Sequence, residues 1–233
     1  MPRISLIIPC YNEEENIKLL FSQILKLKTK INLEVIIINN GSIDNTRKKI
    51  LIYQKKIRGI KIVNIKKNIG FGNGVKKGIK KASSDIICYT HGDLQISLDS
   101  VLKAYKIYVA QKSKNILVKG TRRSRPFVDI YFTLLMSLFN TVLFRKFLFD
   151  IHAQPNLFNK YLIKNIKFLP DDMSIDLYII LCAKIKKYNI LRFKVNFLKR
   201  EFGIGSNDTL IKKVKYSLLS LFCSLRIFLN GRY

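Results

Sequence analysis

One pattern recurs four times in the first ninety or so residues: a short, mainly apolar run rich in β-branched residues, a polar loop, then a stretch with helical spacing. The runs are residues 4–8 (ISLII), 33–38 (LEVIII), 60–65 (IKIVNI) and 85–89 (DIICY). Short apolar strands separated by helices join in parallel and are covered on both faces, so an α/β domain with a parallel sheet between two helical layers is expected. In such sheets ligands bind outside the carboxyl ends of the strands. The polar clusters fall at those ends: Tyr11 to Glu13, Asn39 to Ser42, Asn68 to Gly74 and His91 to Gln95. Taken singly, each has the composition of an ordinary turn. Together on one rim they predict a ligand site.

Further along, a helix is expected over 98–111 and a fifth strand over 116–119, ending in GTRRSRP. Arg122, Arg123 and Arg125 in that segment call for an anionic partner or for solvent. Residues 127–144 (FVDIYFTLLMSLFNTVLF) are almost wholly apolar, with Asp129 the one acid. That length is at the short limit for a membrane span. Three placements are open: a span, a helix lying in a bilayer surface, or a core helix. Residues 210–233 mix Lys212, Lys213, Lys215 and Arg226 with LLSLF and IFL, a composition that suits either an anionic membrane surface or a packed terminal helix.

The chain has 43 Lys and Arg against 15 Asp and Glu, a formal net charge of +28. Such a balance favours phosphate-bearing partners. The basic residues are spread over every segment, and no nucleic-acid motif accompanies them, so nucleic acid is not an expected partner. Abundant Lys, Ile and Asn are also what an AT-rich genome would encode. The four cysteines (Cys10, Cys88, Cys182, Cys223) show no CxxC spacing and no clustering with histidine, which argues against a zinc site or a disulfide framework and for a reducing compartment. With no extended apolar leader in MPRISLIIPCYNEEEN, a cytoplasmic protein, peripheral on the inner face of the cytoplasmic membrane, is expected.

The segments SLIIPCYNEEENI, EVIIINNGSIDNT and NIKKNIGFGNGVKKGIKKASSDIICYTHGDLQ resemble family 2 glycosyltransferases of the GT-A fold, nearest the polyprenyl- or dolichyl-phosphate sugar synthase branch. The resemblance is dense over residues 4–95 and thin over 120–206. It implies a Rossmann-like, mostly parallel sheet with helices on both faces, plus C-terminal apolar and amphipathic helices. The implied organisation is a transferase domain over 1–206, with a nucleotide-sugar half (1–119) and an acceptor-side half (120–206), followed by a basic amphipathic helix over 207–233.

Residue by residue, Pro9, Tyr11, Asn12 and Glu13 match the family's P-x-Y-N-E, where the loop packs on the nucleotide and the glutamate contacts the donor. Asn40, Gly41 and Ser42 match D-D-G-S, with Asn39 and Asn40 in place of both aspartates. An asparagine there offers the base edge a donor and an acceptor instead of a carboxylate. Asn68 and Gly70 match N-x-G, and Gly72, Gly74 and Gly78 fit a close approach of chain to ligand. The stretch HGDLQ matches D-A-D-L-Q, in which two aspartates and a glutamine surround a divalent cation that holds the donor diphosphate. Here His91 replaces the first aspartate, Gly92 follows, and Asp93 and Gln95 remain. The implied cation is Mn²⁺ or Mg²⁺, of which Mn²⁺ tolerates imidazole better; the other reading of His91 is a plain loop histidine. Arg122 matches G-S-R, and Arg200, Gly203 and Ser206 match R-x-x-G-x-S, elements that meet phosphate. Asp150, Gln154 and Pro155 suggest an acceptor-side loop. Asp171, Asp172 and Asp176 are candidates for the carboxylate of an inverting transfer or for helix caps, the cap being preferred for the first two. The expected catalytic set is Asp93, Arg200 and Asp176.

The implied reaction moves a sugar from a nucleotide-diphospho-sugar to a lipid-phosphate or saccharide acceptor in surface glycan synthesis. A hydroxyl acceptor needs a general base, whereas a phosphate does not. No base stands out, and with the apolar segments this favours a lipid-linked acceptor over a hydroxyl. Acids missing at positions 39, 40 and 91 keep a non-catalytic or metal-independent sugar-nucleotide binder as an alternative, with a basic nucleic-acid binder behind it.

Overall fold

Strands β1 (Ile4–Cys10), β2 (Leu33–Asn40), β3 (Ile60–Ile65) and β4 (Ile86–Tyr89) pair in parallel in the order β3-β2-β1-β4. They are connected by α1 (Ile17–Lys28), α2 (Thr46–Lys56) and α3 (Phe71–Lys81). The computed structural model describes residues 2–166, 168–202 and 209–231. After β4 come α4 (Asp99–Val109), β5 (Ile116–Arg123), α5 (Phe127–Phe144), β6 (Asn156–Asn159), a 3-10 turn (Lys160–Ile163), α6 (Ile175–Ile185), β7 (Asn189–Asn196) and α7 (Leu210–Asn230). The full sheet runs β3-β2-β1-β4-β6-β5-β7.

The apolar runs are continuous because both faces are covered. Ile4, Leu6, Ile8, Val35 and Ile37 pack with Leu20 and Ile24 of α1, Ile50 of α2 and Val101 of α4. Ile7, Ile36, Ile38 and Ile87 pack with Val75 and Ile79 of α3 and Leu177 and Ile180 of α6. Each fully buried aliphatic side chain contributes about 1.5–3 kcal/mol. The mostly parallel α/β architecture is therefore as expected.

Several details differ from expectation. Pro9 does not end β1, and Asn39 and Asn40 lie inside β2. Strands β6 and β7 were not foreseen. β6 is four residues long, runs antiparallel to both β4 and β5, and begins with an asparagine whose side chain has buried polar partners, so it carries no apolar pattern. β7 is an edge strand with mostly half-buried side chains, pairing in parallel with β5. The border drawn at 119/120 falls within β5, so the two halves share one sheet.

The α3 glycines answer to protein rather than ligand. A Cβ at Gly78 would stand 2.2 Å from Ile7 Cγ2, one at Gly74 3.1 Å from Pro9, and one at Gly72 2.3 Å from the Pro170 carbonyl. They let α3 lie against β1 and against the segment before α6.

Helix α5 is not a core helix. Phe127, Tyr131, Leu134, Leu138 and Val142 form an exposed face, whereas Ser137, Asn140 and Phe144 are buried. Helix α7 packs beside it: the Phe144 and Phe228 rings are 5.9 Å apart, and Lys213 pairs with Asp129. Ile211, Leu218, Leu219, Phe222 and Leu229 of α7 are also exposed.

Candidate functional site

Sheet order reverses between β1 and β4, since β2 and β3 lie on one side of β1 and β4 on the other. Loops leaving neighbouring strands at such a point diverge and open a crevice. The loop after β1 carries Tyr11 and Glu13, and the loop after β4 carries His91 to Gln95. Each holds a non-glycine residue in the left-handed region, Asn12 at φ 53° and Leu94 at φ 58°, the kind of local strain that concentrates at functional sites. Gly92 lets the two loops meet, because a Cβ there would stand 2.6 Å from Cys10 Sγ.

A third segment closes the crevice. The Leu198 amide donates to the Gln95 carbonyl (2.8 Å), and the Gln95 side-chain amide donates to the Leu198 carbonyl (3.2 Å). This pairing brings Arg200 to the rim. Its Nη2 donates to Glu13 Oε1 (2.8 Å) and to Asp93 Oδ2 (3.2 Å). Three residues separated by up to 187 positions thus share one contact. The Gln95 amide N–H donates to Asp93 Oδ1 at 3.2 Å, which holds that carboxylate from behind.

Burial pushes the Glu13 carboxyl up from 4.5 to about 7, against the pull of Arg200 and Asn16, and neighbouring Asp93 pushes the same way. A carboxyl with a raised folded-state value binds a proton that the unfolded chain has released. Its contribution to stability is therefore greatest in acid and falls as pH rises through the interval from 4.5 to about 7. Glu13→Gln is expected to remove that slope from a series of thermal melts across this interval; a slope equal to that of the parent would contradict the assignment.

On the other side of β1, Asn40 donates to the Asn68 side-chain oxygen (3.3 Å) and to the Gly70 carbonyl (3.1 Å), and the Gly70 amide donates to Asn68 (2.9 Å). Among the described residues Asn40 Oδ1 is buried without a hydrogen-bond partner, an acceptor left open at this corner. Gly70 adopts φ 129°, and a Cβ there would meet the Asp171 carbonyl at 2.3 Å. Ser42 accepts from the Asn12 amide (3.1 Å), tying the first two rim loops together, and Tyr11 is exposed above them. Pro9 packs beneath, against Gly74.

The crevice continues toward α5 and α7 as a cleft of about 380 Å³, whose walls include Asp93, Gln95, Arg122, His152, Arg200 and Tyr216. The His91 ring stacks on Phe71 with centroids 4.4 Å apart, and burial pulls its pKa down, so it is neutral. Arg122 lines the cleft while committed to a buried partner. Its backbone amide donates to Asp150 Oδ2 (2.7 Å) and its Nε to Asp150 Oδ1 (2.9 Å). Asp150 is thus an internal anchor for Arg122. A larger cavity of about 650 Å³ runs along α3 toward the amino end of β4, lined by lysine stems and apolar groups. It lies away from the strand ends that carry the polar clusters, and chemistry rather than size places the site in the crevice.

Asp176 is not a cleft residue, which corrects the expectation for it. Its side chain is fully buried and encircled by donors: Tyr89 hydroxyl (2.7 Å), Gln154 Nε2 (3.1 Å) and Asn156 Nδ2 (3.2 Å). Burial acts to raise its pKa, but Lys119, His152 and Tyr89 outweigh it and hold the carboxyl below its usual range. Lys119 is itself buried and pulled down to about 7 by that burial, and it donates to the Ala153 carbonyl (2.6 Å) and Asn156 (2.7 Å). The Asp172 carboxylate accepts from the Ser174 amide (2.9 Å) and pairs with Arg226 (2.7 Å), so it caps the turn into α6 and anchors α7; Asp171 pairs with Lys76. Gly203 and Ser206 lie outside the described residues. Reasoning from sequence missed His152, Lys119 and Tyr216. His152 had one available signal, being one of only two histidines and lying in the polar segment DIHAQP. Lys119 and Tyr216 had none, because a lysine in a strand and a tyrosine in a basic helix are unremarkable until folded.

Among the described residues no group of three or more His, Cys, Asp or Glu is gathered that could hold a metal ion. The oxygen donors at hand are Asp93 and the Gln95 side-chain carbonyl. Hard divalent cations take such oxygens and complete their shells with water or substrate phosphate.

Residues 5–166 match the model of the family described as glycosyl transferase family 2. An uncharacterized glycosyltransferase from Synechocystis sp. is 31% identical over 175 residues, covering 72% of this chain and 54% of the relative. A dolichol-phosphate mannosyltransferase from Pyrococcus furiosus is 34% identical over 93 residues, 40% of this chain and 26% of that protein. The chain therefore spans about half the length, or less, of these relatives. Among solved structures, glucosyl-3-phosphoglycerate synthase from Mycobacterium tuberculosis, in complex with phosphoglyceric acid, superimposes with a TM-score of 0.71 at 16% identity, covering 96% of this chain and 80% of that one. A mannosyltransferase from Pyrobaculum calidifontis, in complex with GDP-Man and Mn²⁺, gives 0.68 at 17% identity, covering 96% and 64%. The likenesses at that identity carry the fold, the family match covers most of the sheet and its rim loops, and on both counts the chain belongs to glycosyltransferase family 2, with the GT-A fold.

Proposed function

We propose that the chain transfers a sugar from a nucleotide-diphospho-sugar to a lipid-phosphate or saccharide acceptor in the assembly of a surface glycan, at the cytoplasmic face of an anionic membrane. The observation that carries the reading is the meeting of Glu13, Asp93 and Arg200 in the crevice between β1 and β4. A donor diphosphate brings negative charge that grows on the leaving oxygen as the sugar departs. Arg200 supplies a planar cation at that place, and Arg122 lines the same cleft. The nucleoside occupies the corner built from Pro9, Tyr11, Asn40, Ser42, Asn68 and Gly70, where the open acceptor of Asn40 meets a base N–H. Asp93 and Gln95 would hold a divalent cation, with His91 bordering it and Gly92 giving the loop its close approach. Such a cation neutralises diphosphate charge.

The experiment is release of nucleoside diphosphate from UDP-, GDP- and dTDP-sugars with Mn²⁺, with Mg²⁺ and with EDTA. Metal-stimulated release from one donor class is expected. Donor binding without any release would favour the non-catalytic binder instead.

The membrane placement rests on α5 and α7, which together expose Phe127, Leu138, Val142, Leu218 and Phe222 beside Lys212 and Lys215. An apolar face flanked by lysines suits the interface of an anionic bilayer. Cosedimentation with phosphatidylglycerol vesicles, lost on phosphatidylcholine vesicles and weakened by a Leu138→Glu, Leu218→Glu double variant, is the expected result; equal recovery with both lipids would remove the lipid from the proposal.

A further inference from the structure

The cleft holds a buried acid and a histidine whose relation neither the family match nor the donor site uses. His152 Nδ1 faces Asp176 Oδ2 at 3.4 Å, and among the described residues that buried nitrogen makes no hydrogen bond. The ring as a whole is partly exposed and lines the cleft shared by Asp93, Arg122 and Arg200. Asp176 is held as a carboxylate by Tyr89 of β4, Gln154 of the loop before β6 and Asn156 of β6. A carboxylate facing Nδ1 places the ring proton there and leaves the Nε2 lone pair as the ring's basic site, the arrangement by which an acid orients an imidazole base.

We propose that His152, positioned by Asp176, accepts the proton of the attacking group, and hence that the acceptor reacts through a hydroxyl rather than a phosphate. The inference rests on the transferase reading above and narrows its acceptor. As the acceptor oxygen bonds to the anomeric carbon, its proton passes to His152 Nε2. The bond from that carbon to the diphosphate oxygen breaks, and its electron pair leaves on the nucleoside diphosphate. Asp176 stabilises the imidazolium that forms. A phosphate acceptor, already ionised, would give this pair nothing to do.

Several charged and titratable groups stand near the ring or share its cleft. They are Asp176 of α6, Tyr216 and Lys213 of α7, His91 and Asp93 of the loop after β4, Arg122 of β5, Arg125 before α5 and Asp129 at its start, Asp172 before α6 and Arg200 after β7. The Tyr216 ring is 6.2 Å from that of His152, edge to face, and burial pushes its hydroxyl well up, so it does not compete as the base. Asp129 is paired with Lys213, Asp93 with Arg200 and Asp172 with Arg226, and Asp176 is the carboxylate that faces His152.

Water serves as the acceptor in the test, because it too must lose a proton. Donor hydrolysis is followed with the donor class that the parent protein uses, while donor binding is measured separately by calorimetry. His152→Ala is expected to bind donor as the parent does, to hydrolyse it about 100-fold more slowly, and to regain rate in proportion to added free-base imidazole. The parent rate should fall on acidification, and that limb should vanish in His152→Gln. Asp176→Asn should lower the rate in the same direction while leaving the melting curve cooperative. A His152→Ala rate within about threefold of the parent, or no imidazole rescue with donor binding intact, would overturn the assignment. So would sugar transfer to polyprenyl phosphate at the same rate in parent and His152→Ala. A parent that binds donor but never releases nucleoside diphosphate would instead sink the transferase reading, which keeps the two failures apart.

Discussion

Arg200→Ala is expected to lower nucleoside diphosphate release by about 10²–10³-fold, the range seen when a single preorganised donor to a developing oxyanion is removed. Among the described residues the guanidinium is the ion-pair partner that Glu13 and Asp93 share, at 2.8 and 3.2 Å. Without it the two carboxylates lose the cation they share, and Glu13, already raised to about 7, is pushed higher still. The loss should lie in turnover rather than in folding, because Arg200 sits on the segment after β7 and outside the core layers. Arg200→Lys should recover only part of the rate, since a compact ammonium on a flexible stem lacks the planar fork that matches phosphate oxygens bidentately. Rates for both variants within about threefold of the parent would show that the leaving group is stabilised elsewhere.

Asp150→Ala carries the largest expected effect on stability. The carboxylate is fully buried, accepts from the backbone and side chain of Arg122, and lies 4.0 Å from Arg125. Burial acts to raise its pKa, but Arg122 and Arg125 overcome this and hold the group below the usual carboxylate range. Removing it leaves two largely buried guanidiniums without their carboxylate, and breaking a buried pair on one side costs about 3–5 kcal/mol. For a domain of this size that corresponds to a fall in Tm of roughly 10 °C. A group with a depressed folded-state value contributes stability that is present above its unfolded pKa and lost as pH falls through the folded one. The deficit of the variant should therefore be full at neutral pH and shrink in acid. Circular-dichroism melts at pH 7 and in acid decide it, and a shift under 2 °C at pH 7 would contradict the account.

The half of the sheet from β1 to β4 was legible because its strands are buried on both faces, and continuous apolar runs ending in Asn, Gly and Asp are hard to mistake. The rim loops were legible for the same reason, as parallel strands bring all their carboxyl ends to one edge. Arg200 was legible as a phosphate-type arginine, but its partners were not, because only the backbone pairing of Leu198 with Gln95 brings it to Glu13 and Asp93. What lay beyond reach was the buried polar layer. Asp176 reads as an acid in an apolar helix, whether capping, catalytic or structural. Its role is set by Tyr89, Gln154, Asn156 and Lys119, which arrive from three other elements. His152 was hidden by the same cause, since the short antiparallel strand that follows it has no apolar signature. Helix α5 was ambiguous from its composition, and the packing of α7 beside it decides which residues face inward.

The central claim is that a carboxylate at position 93 and a guanidinium at position 200 together form the seat of a nucleotide-sugar diphosphate. Calorimetric titration of UDP, GDP and dTDP in Mn²⁺ into the parent protein, Asp93→Ala and Arg200→Ala tests it most directly. The account predicts saturable binding of one nucleotide to the parent, weakened at least tenfold in each variant while the melting curves stay cooperative. Equal affinity in all three proteins would contradict it.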